Sequence, residues 1–254
     1  MLARHLDGVP VVIGARRDRT GRLATTTFGA DTVVLDDGFQ HRRLYRDCDI
    51  VLVHARTPLG GWALLPRGPM REPMTALARA HIIIITKADE ALGTLGALEE
   101  RVRSLNPDAG VVTAMHEPAT IIDVVTSASV ALERLEGLRV GLLSSIGDPA
   151  GFESTVQRLH ATVAWHRAFP DHYRYQPADW AALCRRGQDA RPEAVVTTEK
   201  DWLRLQPVMG SGSPRSNLLE RSSLDIPLWV LGVRLRILNG ESLLDDRLAA
   251  LYAR

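Results

Sequence analysis

Apolar residues come in short blocks along this chain, and the blocks alternate with stretches where they recur every three or four positions. The first kind predicts strands and the second amphipathic helices. Strands are expected at "VPVVIGA" (9–15), "DTVVL" (31–35), "DIVLVHA" (49–55), "HIIIITKAD" (81–89) and "GVVTAM" (110–115). A second series follows at "RVGLLSSI" (139–146), "ATVAWHRAF" (161–169), "AVVTTEK" (194–200) and "PLWVLGVRLRI" (227–237). Helical spacing marks "EALGTLGALEERVRSL" (90–105) and segments near 151–160, 177–187 and 241–253. The strand blocks are β-branched and apolar on both faces, as in a parallel sheet covered by helices on both sides. Between the two series, residues 120–138 read as an extended connector with polar breaks, which divides the chain into 1–125 and a second, smaller α/β domain at 126–254. "MGSGSPRSN" (209–217) has the composition of a surface loop.

Composition narrows the class. With 254 residues, 45% hydrophobic, the chain can bury the core of one large or two modest domains. A net charge of +1 gives no bias towards nucleic acid, no apolar run approaches the roughly 20 residues that span a bilayer, and no signal peptide opens the sequence. Cys48 and Cys184 are isolated, which fits a reducing compartment and makes the cytoplasm the expected one. All but two of the 31 basic residues are arginine, so chemistry that requires lysine has only Lys87 and Lys200 to draw on.

The chemistry begins at "VVLDDGFQHRRL" (33–44). In open α/β sheets ligands sit beyond the carboxyl ends of the strands, where Asp36 and Asp37 fall. An apolar strand ending in Asp is the Walker-B arrangement, in which the carboxylate holds Mg²⁺ beside nucleotide phosphates. Asp-Gly is also a common turn pair, so these two residues alone leave a plain strand-ending turn open. "PRGPMREP" (66–73) is the second unusual stretch: three prolines in eight residues fix a rigid loop that carries Arg67, Arg71 and Glu72. Arginine on a rigid backbone suits phosphate oxygens, which its fork binds bidentately.

In order along the chain, "DDGFQHRRL", "LGGWALLPRGPMREP", "SSIGDPAGF" (144–152), "HRAFPDHYRY" (166–175) and "VVTTEKDWLRL" (195–205) resemble the lipid A 4′-kinase (tetraacyldisaccharide 4′-kinase) family. That resemblance implies a P-loop-kinase-like α/β fold and transfer of the ATP γ-phosphoryl to the 4′-hydroxyl of an acylated glucosamine disaccharide, the lipid A precursor. It implies ATP and Mg²⁺ as cofactors and the inner-membrane surface as the place of reaction. Carried over residue by residue, Asp36 and Asp37 are the metal-holding acids. Asp37, His41 and His172 are catalytic, with His172 supporting the general base for the sugar hydroxyl, and Gln40, Arg71 and Glu72 bind the nucleotide.

Departures from the family pattern set further expectations. Neither Lys87 nor Lys200 follows a glycine, so these residues hold no Gly-Lys-Ser/Thr phosphate loop. The resemblance implies that this loop, a membrane-associating helix and the general-base acid lie upstream of "VPVVIG", with 1–125 the remainder of the nucleotide-binding domain. The 254 residues alone are then expected to be inactive. A catalytically silent glycolipid-binding module is an alternative. A GTPase fragment is another, because "TKAD" (86–89) resembles a guanine-reading motif. Asp148 and Pro149 read as an N-cap and first helical residue, and the role of Lys200 is left open.

Overall fold

The computed structural model describes residues 2–57, 63–68, 70–209 and 226–253. Residues 59–62 and Pro69 of the proline-rich stretch, and all of the expected loop at 209–217 except Met209, lie outside the described residues. The chain runs α1 (Leu2–His5), α2 (Arg17–Phe28), β1 (Ile50–His54), β2 (Ile82–Thr86), α3 (Leu92–Leu105), β3 (Gly110–Asp123), β4 (Ser129–Val130), β5 (Arg139–Ser144), α4 (Pro149–Arg158), β6 (Thr162–Ala168), α5 (Pro177–Ala190), β7 (Ala194–Thr198), α6 (Glu199–Leu205), β8 (Leu228–Asn239) and α7 (Glu241–Tyr252). It forms two compact units. One comprises Leu2–Glu117 with Leu235–Arg254, and the other Pro118–Arg234. The chain therefore divides near 118 and again near 235, and its last segment returns to the first unit. The boundary expected at 125/126 differs on both counts, because β3 and β8 each run on past a unit boundary as one strand.

In the first unit β1, β2 and β3 pair in parallel, with Ile50 opposite Ile82 and Ile82 opposite Gly110. A strand buried on both faces needs apolar residues at every position, and "IIIIT" supplies them. Ile83 and Ile85 pack with Val53, Leu98 and Val102, so α3 covers that face. Ile82 and Ile84 pack with Val112, Ala114, Ile237 and Leu244, so α7 and the end of β8 cover the other.

The second unit repeats the principle. Parallel ladders join β6 to β5, β5 to β7 and β7 to β8. Alternation along β5 sends Val140 and Leu142 to one face, with Phe152 and Val156 of α4. Leu143 goes to the other, with Trp180, Leu183 and Leu205 of α5 and α6. The expected connector is more structured than its polar breaks suggested. Its front is the end of β3, which pairs antiparallel with β4, and Leu135 beyond it is fully buried.

Two expected strands do not form. Residues 9–15 and 31–35 are irregular, and most of their apolar side chains face out, Ile13 at 90% exposure and Val34 at 92%. Apolar β-branched composition supplies propensity, but a strand also needs a ladder partner for its backbone groups. Between them lies an unforeseen helix, α2, whose sequence RDRTGRLATTTF is mostly polar and so offers too few apolar positions to reveal a helix.

Gly141 shows how closely β5 and β6 are packed, since a Cβ there would run into the indole of Trp165. Gly141→Ala is expected to lower unfolding free energy by about 1–3 kcal/mol, the usual cost of overpacking, in urea denaturation followed by tryptophan fluorescence.

Candidate functional site

The sequence motifs gather into two constellations, one in each unit. In the first unit, Asp36 and Asp37 form a turn after residues 31–35. Asp37 adopts a left-handed backbone, φ 52°, which Asp tolerates better than most residues but which still costs free energy. Gly38 is buried because the turn folds back on Leu35, whose side chain a Cβ would strike at 2.6 Å. The turn continues as the His41 N–H donates to the Gly38 carbonyl at 3.0 Å. Arg46 then ties it down, donating to the His41 carbonyl at 2.7 Å while pairing with Asp49 at 2.6 Å.

The proline-rich loop meets this turn at two places. Arg71 Nη1 donates to both carboxylate oxygens of Asp37, at 3.1 and 2.8 Å. Phe39 lies under the Arg79 guanidinium, 4.4 Å from ring centroid to Cζ, and Arg79 donates to Glu72 at 2.7 Å. Thus Asp37 and Arg71 are brought together directly, and Glu72 joins them through Arg79 and Phe39. The side chains of Asp36, Gln40 and His41 are exposed around the same turn.

"TKAD" sits at the carboxyl end of β2. Lys87 is buried with a left-handed backbone, φ 55°, and its Nζ is 3.9 Å from Glu90, which also pairs with Arg56 at 3.2 Å. The stretch is a salt-bridged strand end.

In the second unit the other three motifs converge on Asp201, whose side chain is wholly buried. Its carboxylate accepts from the Ser145 N–H at 3.0 Å, the Ser145 hydroxyl, the Tyr175 hydroxyl at 3.1 Å and the Thr198 hydroxyl at 2.7 Å. Burial pushes the Tyr175 phenol well above its usual range, which keeps it a donor. Arg204, one turn along α6, donates through Nη1 to the Ser145 carbonyl and hydroxyl, both at 3.1 Å. Its Nη2 reaches His172 Nδ1 at 3.0 Å. His172 has φ 60° and a side chain 79% exposed, and its own N–H donates to Asp171. Asp148 caps α4 as expected, accepting from the Gly151 N–H at 2.9 Å ahead of Pro149.

Sequence reasoning passed over Asp201 and Arg204. The available signal was Thr198-x-x-Asp201, the spacing of a helix start that turns its acid inward. His166 differs from His172 in kind. Its Nε2 meets the Ser144 hydroxyl at 2.8 Å and its Nδ1 meets Glu153 at 2.9 Å. The order Ser-His-Glu is that of a nucleophile relay, but Ser144 is fully buried and cannot reach a substrate, so the chain of bonds is a structural clasp.

The sequence model of the Tetraacyldisaccharide-1-P 4'-kinase family matches residues 1–252. The chain belongs to that family. Among curated members, the tetraacyldisaccharide 4'-kinase of Anaeromyxobacter dehalogenans strain 2CP-1 is 42% identical over 258 residues, covering 100% of this chain and 64% of the relative. That of Syntrophus aciditrophicus is 40% identical, covering 82% of this chain and 58% of the relative. The chain thus spans less than two thirds of the length of these kinases. The crystal structure of the "apo" form of LpxK from Aquifex aeolicus in complex with ATP superimposes with a TM-score of 0.57 at 23% identity, covering 92% of this chain and 62% of that one. The fold is accordingly the α/β fold of the P-loop-kinase type.

The two constellations differ in what they contribute to stability. Asp201→Ala leaves four donors without their buried acceptor and is expected to cost about 3–5 kcal/mol in urea denaturation. Arg71→Ala breaks only an exposed ion pair and is expected to leave the unfolding midpoint unchanged.

Proposed function

We propose that this chain belongs to an ATP-dependent kinase that transfers the γ-phosphoryl group to the 4′-hydroxyl of a tetraacylated glucosamine disaccharide. The reading is supported by the family match and by relatives that carry that name. The observation that carries it is the pairing of the Asp36–Asp37 turn with Arg71, which joins the acidic stretch to the rigid loop. An exposed pair in which one guanidinium nitrogen reaches both carboxylate oxygens, set on a left-handed turn, does little for the fold. It does keep a carboxylate and a guanidinium aligned for a ligand with both charges, such as a phosphate with its cation.

Phosphoryl transfer needs positioning and charge neutralisation more than covalent help. In this reading Asp36 and Asp37 are the Mg²⁺ ligands. Two adjacent carboxylates are hard oxygen donors of the kind that ion takes, so these two residues would hold it. When bound, the ion supplies positive charge beside the phosphate oxygens. Arg71 then binds a phosphate oxygen, and Gln40, His41 and Glu72 line the nucleotide side. His172 supports the general base that takes the proton of the acceptor hydroxyl, a role that acts through orientation. The acyl chains of the substrate place the reaction at a membrane surface. Among the described residues no helix is long and apolar enough to cross a membrane.

The test is a chimera in which this chain replaces the matching stretch of the Anaeromyxobacter relative, assayed for transfer of labelled phosphoryl from ATP to the disaccharide. Transfer is expected from the chimera and none from the 254 residues alone. A folded but inactive chimera would overturn the reading. Within the chimera, Asp37→Asn is expected to lower kcat far more than it raises KM for ATP, since a metal-held charge acts on the transition state. His172→Ala is expected to lower kcat about 10²-fold or more, the scale of a positioned acid–base group. His166→Ala should instead lower the melting temperature, because it opens the clasp between Ser144 and Glu153, and leave kcat near normal.

A further inference from the structure

The bonds around His172 fix more than its position. A guanidinium has only N–H groups and no lone pair to offer, so it can only donate. With Arg204 Nη2 at 3.0 Å from His172 Nδ1, that ring nitrogen must be the acceptor and must carry no proton. A neutral imidazole without a proton on Nδ1 carries it on Nε2.

We propose that Arg204 is a positioning residue that holds His172 as the Nε2–H tautomer, so that the imidazole presents a hydrogen-bond donor, not a basic lone pair, to an oxygen acceptor docking against it. That acceptor is a carboxylate or a sugar hydroxyl oxygen. The assignment of a purpose rests on the kinase reading above, whereas the tautomer itself does not.

Arg204 is itself unable to swing away. Its Nη1 is held by both oxygens of Ser145 and lies 3.9 Å from Asp201 Oδ1, and Asp201 is anchored by its own buried donors. On the other side of the imidazole, Asp171 Oδ2 is 3.6 Å from Nε2, the side that takes a proton donor. Arg204 and Asp171 are thus charged groups facing the ring, one at each nitrogen. Asp171 Oδ2 also lies 3.5 Å from where a Gly147 Cβ would be, so the loop before α4 approaches the same edge. Both ring nitrogens thus have an assigned direction. Nδ1 points to a fixed cation, and Nε2–H points towards acceptors and solvent. In phosphoryl transfer such a group orients the oxygen that takes the hydroxyl proton; it does not take the proton itself.

Long-range ¹H–¹⁵N correlation spectra of the labelled 254-residue chain, recorded at a pH where histidines are neutral, read the tautomer directly. His172→Gln identifies the resonances by their loss. The expected wild-type pattern is an unprotonated Nδ1 and a protonated Nε2. In Arg204→Met the single pattern should be lost to two averaged shifts, and Arg204→Lys, which restores a donor, should recover part of it. A wild-type Nδ1–H tautomer overturns the proposal even if no variant folds. An unchanged pattern in a folded Arg204→Met overturns it as well. In the active chimera, Arg204→Met should lower kcat while leaving KM for ATP in place, and loss of both together would show a merely structural residue. If the tautomer behaves as expected and the chimera is inactive, the kinase reading falls and the tautomer stands.

Discussion

A carboxylate without access to water must find a hydrogen-bond donor for nearly every lone pair, and Asp201 meets this demand by collecting donors from three separate segments. Ser145 comes from the end of β5, Tyr175 from the loop before α5, and Thr198 from the end of β7. Leaving such a group unsatisfied is far more costly than the net gain from any one of its bonds. The placement of these segments is therefore enforced jointly. Arg204 follows from the same requirement, since α6 begins where Thr198 and Asp201 are locked together. The exposed histidine is the last member of a chain of bonds that starts in a buried acid.

The first unit solves a different problem with different means. Its parallel strands are apolar on both faces, and covering them with α3 and α7 is enough to define the core. Its functional turn lies outside that core and is shaped by local devices instead: a buried Gly38, a left-handed Asp37, and Arg46 bonding back to the turn's carbonyls. Such a turn can respond to a ligand without unfolding anything else, because its ion pair is open to water and screened by salt.

Much of this was legible beforehand, for identifiable reasons. Strands β2, β5 and β7 announced themselves because burial on both faces leaves a nearly uninterrupted apolar run, whereas β1 and β6 showed through apolar, β-branched composition although part of each strand is exposed. Helices α3 to α5 and α7 showed their spacing. Residues 9–15 and 31–35 had the composition of strands but no partner among the described residues, and pairing cannot be read from a single segment. At the site, the order of the motifs gave the family and grouped the acidic stretch with the proline-rich loop. Nothing in that order told that Arg71 would take Asp37 rather than Asp36. Asp201 was hidden by its neighbours: in "TTEKDW" it looks like one more surface charge. Its burial depends on Ser145 and Tyr175, distant in sequence.

Three aromatic rings flank the turn that bears His172. Phe169 stacks on Tyr173 with centroids 4.5 Å apart, and Tyr175 meets both edge-on at 5.3 and 5.6 Å. The residues before and after the histidine are therefore pinned by packing, while its ring is left in water. An exposed side chain on an ordinary loop must surrender its freedom each time a ligand arrives. Here that entropy was surrendered once, during folding, and the approaching molecule has neither a wandering ring to immobilise nor a buried one to uncover.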